Sequence, residues 1–130
     1  PIIRSYAESP AIVRELIDRT GVRLALDYSH FICLGYPQEE VDPFCAHAAH
    51  IHLRQARMGK LQEKFARGSI NFPALFGTLR DAGYSGALAI EYVHQDFLGA
   101  NVDDVMTETV TMRGAGTETF ATWLIGICDP

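Results

Sequence analysis

RLALDYSHF, residues 23–31, holds an apolar run that ends in a carboxylate, with an imidazole three positions on. Leu24, Ala25 and Leu26 read as the middle of a buried strand, and the predicted strand spans Val22 to Asp27. A charge at the end of such a run is costly in a closed core. It fits the place where parallel strands end, because in α/β sheets the chemistry gathers beyond the C-terminal ends of the strands. The fold therefore turns on whether other strands of this chain end the same way.

Two do. AAHIHLRQA predicts a strand from about Ala49 to Leu53, and GALAIEYV predicts one from Ala87 to Val93. Helical patterns separate them. Ser9 and Pro10 are an N-cap and first helical position, Ile12, Val13, Leu16 and Ile17 form a stripe, and Gly21 stops the helix. Asp42 and Pro43 start a short helix between Pro37 and Ala48. Ala56 to Ile70 reads as a long loop. Asn71 caps a helix carrying Leu75, Phe76 and Leu79, which DAGYSG ends. Asn101 caps a last helix with Val102, Val105, Met106 and Val110 on one face, and the pattern degrades after Arg113 at Gly-Ala-Gly. Strands alternating with helices imply parallel βαβ units.

Side chains alternate along a strand, so Asp27 shares a face with Ala25, His52 with His50, and Glu91 with Ala89 and Val93. In three neighbouring parallel strands, Asp27, His52 and Glu91 converge on one point. Two carboxylates and an imidazole form a ligand set for a divalent metal such as Mn²⁺, Mg²⁺, Co²⁺ or Zn²⁺. A cation there relieves both the repulsion and the desolvation of the paired carboxylates. His30, expected in a loop after the first strand, is either a surface or capping histidine or a candidate partner of a ligand, a second-metal ligand or a proton shuttle. Arg54 and Arg57 either clamp a carboxylate or phosphate of a substrate or are solvated loop residues. His50 either belongs with them as a substrate-binding residue or is a core histidine. Glu63 and Lys64 read as solvated, His94 and Gln95 as rim residues, and His47 as a helix-end residue.

The 130 residues carry a net charge of −5 and suffice for one domain with a core. That charge argues against a nucleic-acid surface, which needs clustered Lys and Arg. Arg54, Arg57, Lys60, Lys64 and Arg67 come closest to clustering. Cys33, Cys45 and Cys128 are widely spaced with no CxxC, so neither a disulfide framework nor a structural zinc site is expected, and a reducing, cytoplasmic setting is the default. No run approaches a membrane span and PIIRSYAESP lacks signal-peptide architecture. Pro1 with no initiator methionine leads to the expectation of a fragment or a processed product.

LALDYSHF, HIHLRQARMG, GSINFPALFGTLRDAGYSGALAIEYV and the NVDDVMTETVTMR helix together resemble the C-terminal part of the sugar phosphate isomerase/epimerase superfamily. These are the xylose-isomerase-like TIM barrels, which include family 2 AP endonucleases, inosose dehydratases, ketose 3-epimerases and 3-dehydroshikimate dehydratases. The resemblance covers about Ile3 to Arg113 and identifies the superfamily better than a substrate. It implies a metal held by Glu, Asp, His and Glu at strand ends. Asp27 and His30 match its D-x-x-H motif, His52 the second His of H-x-H, and Glu91 the last Glu. It further implies that Glu91 is one of two glutamates that move a substrate proton. Apart from the resemblance, His30, read above as a proton shuttle, is the other catalytic candidate in this chain. The first family Glu would lie upstream of Pro1.

The expected architecture is thus α/β: a partial (β/α) TIM barrel of about three parallel strands with flanking helices over residues 1–113, followed by an atypical apolar tail over 114–130. A complete barrel has eight strands in typically ~250 residues. Open edges and an apolar face need cover, so a homodimer or higher homo-oligomer is expected, with Phe120, Trp123, Leu124 and Ile125 among the candidates to supply that cover. The expected function is metal-dependent isomerisation, epimerisation or dehydration of a sugar- or polyol-like small molecule, with this stretch alone inactive or nearly so. A non-catalytic, self-associating α/β module is the alternative, and an AP-endonuclease-like phosphodiesterase a more distant one. No membrane partner is expected.

Overall fold

The computed structural model describes residues 4–94 and 104–127, the last ten of these by backbone alone. Helix α1, Pro10–Thr20, opens on Ser9, whose hydroxyl accepts the Ile12 N–H at 3.3 Å. It closes on Gly21, whose φ of 65° is left-handed and whose N–H reaches the Ile17 carbonyl at 2.8 Å. Strand β1 is Leu24–Asp27. Val22 stays outside it and exposed, so the strand is two residues shorter than its apolar run predicts.

The chain does not loop after β1. Asp27 caps a six-residue helix, α2, Tyr28–Cys33, by accepting the Ser29 N–H. His30 therefore sits on a helical turn rather than in a loop. Helix α3, Gln38–Val41, runs into a 3₁₀ helix, Asp42–His47, with Pro43 in its first turn and His47 at its end. Strand β2, Ala48–Leu53, leads to the segment read as a loop. That segment is tightly built: Arg57 and Lys60 exchange backbone hydrogen bonds around Gly59, whose φ is 77°, and Phe65–Arg67 form a 3₁₀ turn. Asn71 caps α4, Phe72–Asp81, with its side chain on the Ala74 N–H, as its position before Pro73 predicts.

Strand β3 is Leu88–Ile90, shorter than predicted. Its pairing nonetheless continues, because the Glu91 N–H bonds the Leu53 carbonyl at 2.9 Å. Beyond that the buried Gln62 amide stands in for a strand, donating to the Val93 carbonyl and accepting the Val93 N–H. The three strands form one parallel sheet in the order β1-β2-β3. Asp27 lies opposite His52, and His52 opposite Ala89. An irregularity at Leu24/Ala25 skips Ala49.

One face of the sheet is packed. Leu26, Ile51 and Leu53 are buried in a core shared with Val13, Phe31 and Leu75. The other face, carrying Ala25, His50, His52 and Glu91, is exposed or half-buried. A barrel would close over that face. The result is a three-stranded, partial TIM-barrel-like α/β sheet with both edges open among the described residues.

Helix α5, Val105–Ile127, departs most from the sequence reading. The expected cap at Asn101 and the stripe residue Val102 lie outside the described residues. The described helix is capped by Asp104, whose carboxylate accepts the N–H groups of Met106 and Thr107. Met106 and Val110, expected on the packed face, are 71% and 54% exposed. The inward face keeps Val105 from that stripe and adds Glu108, Thr109 and the buried Met112. Glu108 earns its place there by accepting the Phe65 N–H at 2.8 Å. Gly114 and Gly116 do not end the helix, since an interior glycine costs only about 1 kcal/mol relative to alanine. The side chains of Phe120, Trp123, Leu124 and Ile125 lie outside the described residues.

Candidate metal centre

Asp27, His52 and Glu91 each offer a ligand atom, and these atoms all lie within 4.8 Å of one another. Strand register brings them there. Asp27 and His52 are paired across β1 and β2, and Glu91 follows the His52 partner Ala89 by two, on the same face. The three atoms fit a single ion with bonds of about 2.0–2.6 Å. Two carboxylate oxygens and one imidazole nitrogen suit Mn²⁺, Mg²⁺, Co²⁺ or Zn²⁺. His52 and Glu91 already touch, with Nδ1 2.6 Å from Oε2.

Asp27 is buried, and both of its carboxylate oxygens accept hydrogen bonds. Its Oδ1 accepts the Ser29 N–H at 2.8 Å and the Ser29 hydroxyl at 2.5 Å. Its Oδ2 accepts from Arg54 Nη2 at 2.7 Å. Arg54 Nε also donates to the Ser29 hydroxyl oxygen at 2.8 Å. Arg54 is thus 3% exposed and pinned beneath the site. Of its two readings, the solvated loop residue is ruled out, and the guanidinium engages the Asp27 carboxylate rather than solvent. The reason is local: Arg54 follows His52 by two on the same strand direction, so its side chain reaches back to the end of β1.

His30 joins the same cluster, with Nε2 3.5 Å from Asp27 Oδ2 and 3.3 Å from Arg54 Nη2. Burial holds its pKa below the usual histidine value; Arg54 pushes the same way while Asp27 opposes. The lowered value favours the neutral imidazole, which donates at one ring nitrogen and accepts at the other. His50 is half-buried and packs edge-on against His52, ring centroids 4.9 Å apart. It is beside the three candidate ligands but not among them.

Arg57 is half-exposed and held by Glu63, Nε to Oε2 2.8 Å. Glu63 was read as solvated and is instead 4% exposed. Burial raises its pKa, but hydrogen bonds from Arg57, the Lys64 N–H and Lys60 outweigh it and bring the carboxyl down to about 2. Lys64 is exposed, as predicted, and His94 lies exposed at the end of its described segment, while Gln95 falls outside the described residues. The five cations that came closest to a cluster are thereby dispersed: one is buried on Asp27 and two are tied to Glu63. Sequence reasoning missed Ser29, Gln55, Gln62 and Glu63 as builders of the site's surroundings. Only Ser29 left a signal, two positions after a carboxylate that begins a helix.

Cys33 and Cys45 are buried free thiols, and no described helix is long and apolar enough to cross a membrane.

The model of the xylose isomerase-like TIM barrel family matches residues 2–113 of this 130-residue chain. No curated protein matches it.

Proposed function

The chain belongs to the xylose isomerase-like TIM barrel family, and from that premise we propose that its strand ends hold a divalent metal for isomerisation, epimerisation or dehydration of a sugar- or polyol-like substrate. The observation that carries this reading is the convergence of Asp27, His52 and Glu91 ligand atoms within 4.8 Å. A bound divalent cation would polarise a substrate carbonyl and so acidify the neighbouring C–H.

The chain's own residues supply the rest. Glu91 Oε2 faces His52, and Oε1 takes no part in the contacts with His52 or Arg54, leaving it to accept a proton from the substrate carbon. His30, neutral, handles a proton beside Asp27. Arg57, with half its side chain exposed and its carboxylate partner fixed, orients an oxygen-rich substrate, and His50 flanks it. The family's acid/base chemistry uses a second carboxylate on another strand, so the described three-strand unit is the metal- and carbonyl-holding part of the site. Its open face and two edges left unpaired among the described residues favour association with a further copy of this chain, the simplest form being a twofold dimer.

The test is electron paramagnetic resonance of Mn²⁺ on the protein, with a ketohexose and then with the matching polyol. The expected result is a bound-Mn²⁺ spectrum that the ketose alters, and alters more than the polyol, which lacks the carbonyl. A spectrum indifferent to the ketose would overturn the substrate class.

A further inference from the structure

We infer that Arg54 is a built-in counter-cation for the Asp27 and Glu91 carboxylates, doing in the metal-free chain what a bound ion would do and weakening that ion's binding. The inference rests on reading Asp27, His52 and Glu91 as a metal site.

Arg54 Nη2 sits against both carboxylates, 2.7 Å from Asp27 Oδ2 and 3.8 Å from Glu91 Oε2. The two lone pairs of Asp27 Oδ1 are taken by the Ser29 N–H and hydroxyl. The lone pair left for an ion is therefore on Oδ2, the oxygen that Arg54 already holds. A guanidinium and a metal would then share one oxygen at close range, each weakening the other's hold on it. Arg57 and Lys60 do not compete, since both are bound to Glu63.

The guanidinium is also not fully satisfied by hydrogen bonds. Nη1 is buried with no partner among the described residues. A buried donor without an acceptor is costly, which marks the charge, rather than a complete donor set, as what the side chain contributes. With Arg54 in place, two carboxylates and one guanidinium leave the site one net negative charge. The paired carboxylates are tolerated without an ion, and the ion stays exchangeable.

The experiment is isothermal titration of the metal-free full chain with MnCl₂, for wild type, Arg54→Gln and Arg54→Lys. Arg54→Gln removes the competing charge and is expected to bind Mn²⁺ at least about tenfold more tightly. Arg54→Lys keeps the charge and is expected to stay within about threefold of wild type. If wild type binds Mn²⁺ and Arg54→Gln binds no more tightly, the inference fails and the metal site stands. If neither binds, both fail. Binding by Arg54→Gln alone supports the inference and removes the metal site from the native chain. Should Arg54→Gln not fold, Arg54→Lys decides: a loss beyond about tenfold would show that guanidinium geometry, not charge, governs the site, and would overturn the inference.

Discussion

His52 Nδ1 lies 2.6 Å from Glu91 Oε2, a contact that ties β2 to the residue just past β3 across the open face of the sheet. Both side chains are about one-third exposed, 34% and 32%. Pairs so wetted contribute little to stability, about 0–1 kcal/mol. Asp27 differs, being buried with Arg54 and Ser29. Glu91→Gln is therefore expected to leave the thermal midpoint nearly unchanged while weakening Mn²⁺ binding at least about tenfold. Asp27→Asn is expected to weaken binding as much and also to cost about 3–5 kcal/mol, because it strands a buried guanidinium. Denaturant titration and calorimetry on the two variants check this. Equal stability losses would contradict it.

Glu63 fixes the segment after β2 by holding Arg57, Lys60 and the Lys64 N–H. Its carboxyl is lowered from 4.5 to about 2 in the folded chain. A depressed carboxyl contributes stability above its unfolded value and loses it as pH falls through the folded one. The contribution is thus complete above about pH 4.5 and fades toward about pH 2. Glu63→Gln is expected to cost about 1–3 kcal/mol at pH 7, the exposed side of Arg57 holding the figure down. The difference from wild type should shrink as urea midpoints are followed from pH 5 to about pH 2.

Gly68 has no room for a side chain. A Cβ there would collide with Cγ, Cδ and Oε1 of Gln55. Gln55 cannot retreat, because its amide donates to the Ile70 carbonyl at 2.9 Å and accepts from the Ile70 and Ala56 N–H groups. Gly68→Ala is expected to destabilise by about 1–3 kcal/mol. Gly77→Ala, where nothing lies within 4 Å, is the control and should be neutral or stabilising.

The open sheet predicts self-association. Multi-angle light scattering at micromolar concentration is expected to give at least twice the 14.4 kDa chain mass. A monodisperse monomer would contradict the dimer.

The strand ends were legible because period-two alternation and apolar runs fix which residues face which side, and parallel strands in neighbouring positions then bring Asp27, His52 and Glu91 together. Asp27 itself was only half legible: its capping of α2 competes with no hydrophobic signal, so the turn after β1 read as loop. What failed shares one cause. Arg54, Gln62 and Glu63 are polar residues buried through specific partners, and no pattern of hydropathy announces a partner far along the chain. In α5 the packed face is built partly from Glu108 and Thr109, so the apolar stripe placed Val105 inward correctly but put Met106 and Val110 on the wrong side.

The central claim is that three strand ends of this chain make one metal site. Equilibrium dialysis against Mn²⁺ followed by metal analysis tests it most directly, using the wild-type chain and the Asp27→Asn, Glu91→Gln double variant. The account predicts one Mn²⁺ per wild-type chain and none above background in the double variant. A wild-type chain that retains no ion, or a double variant that retains as much as wild type, would contradict it.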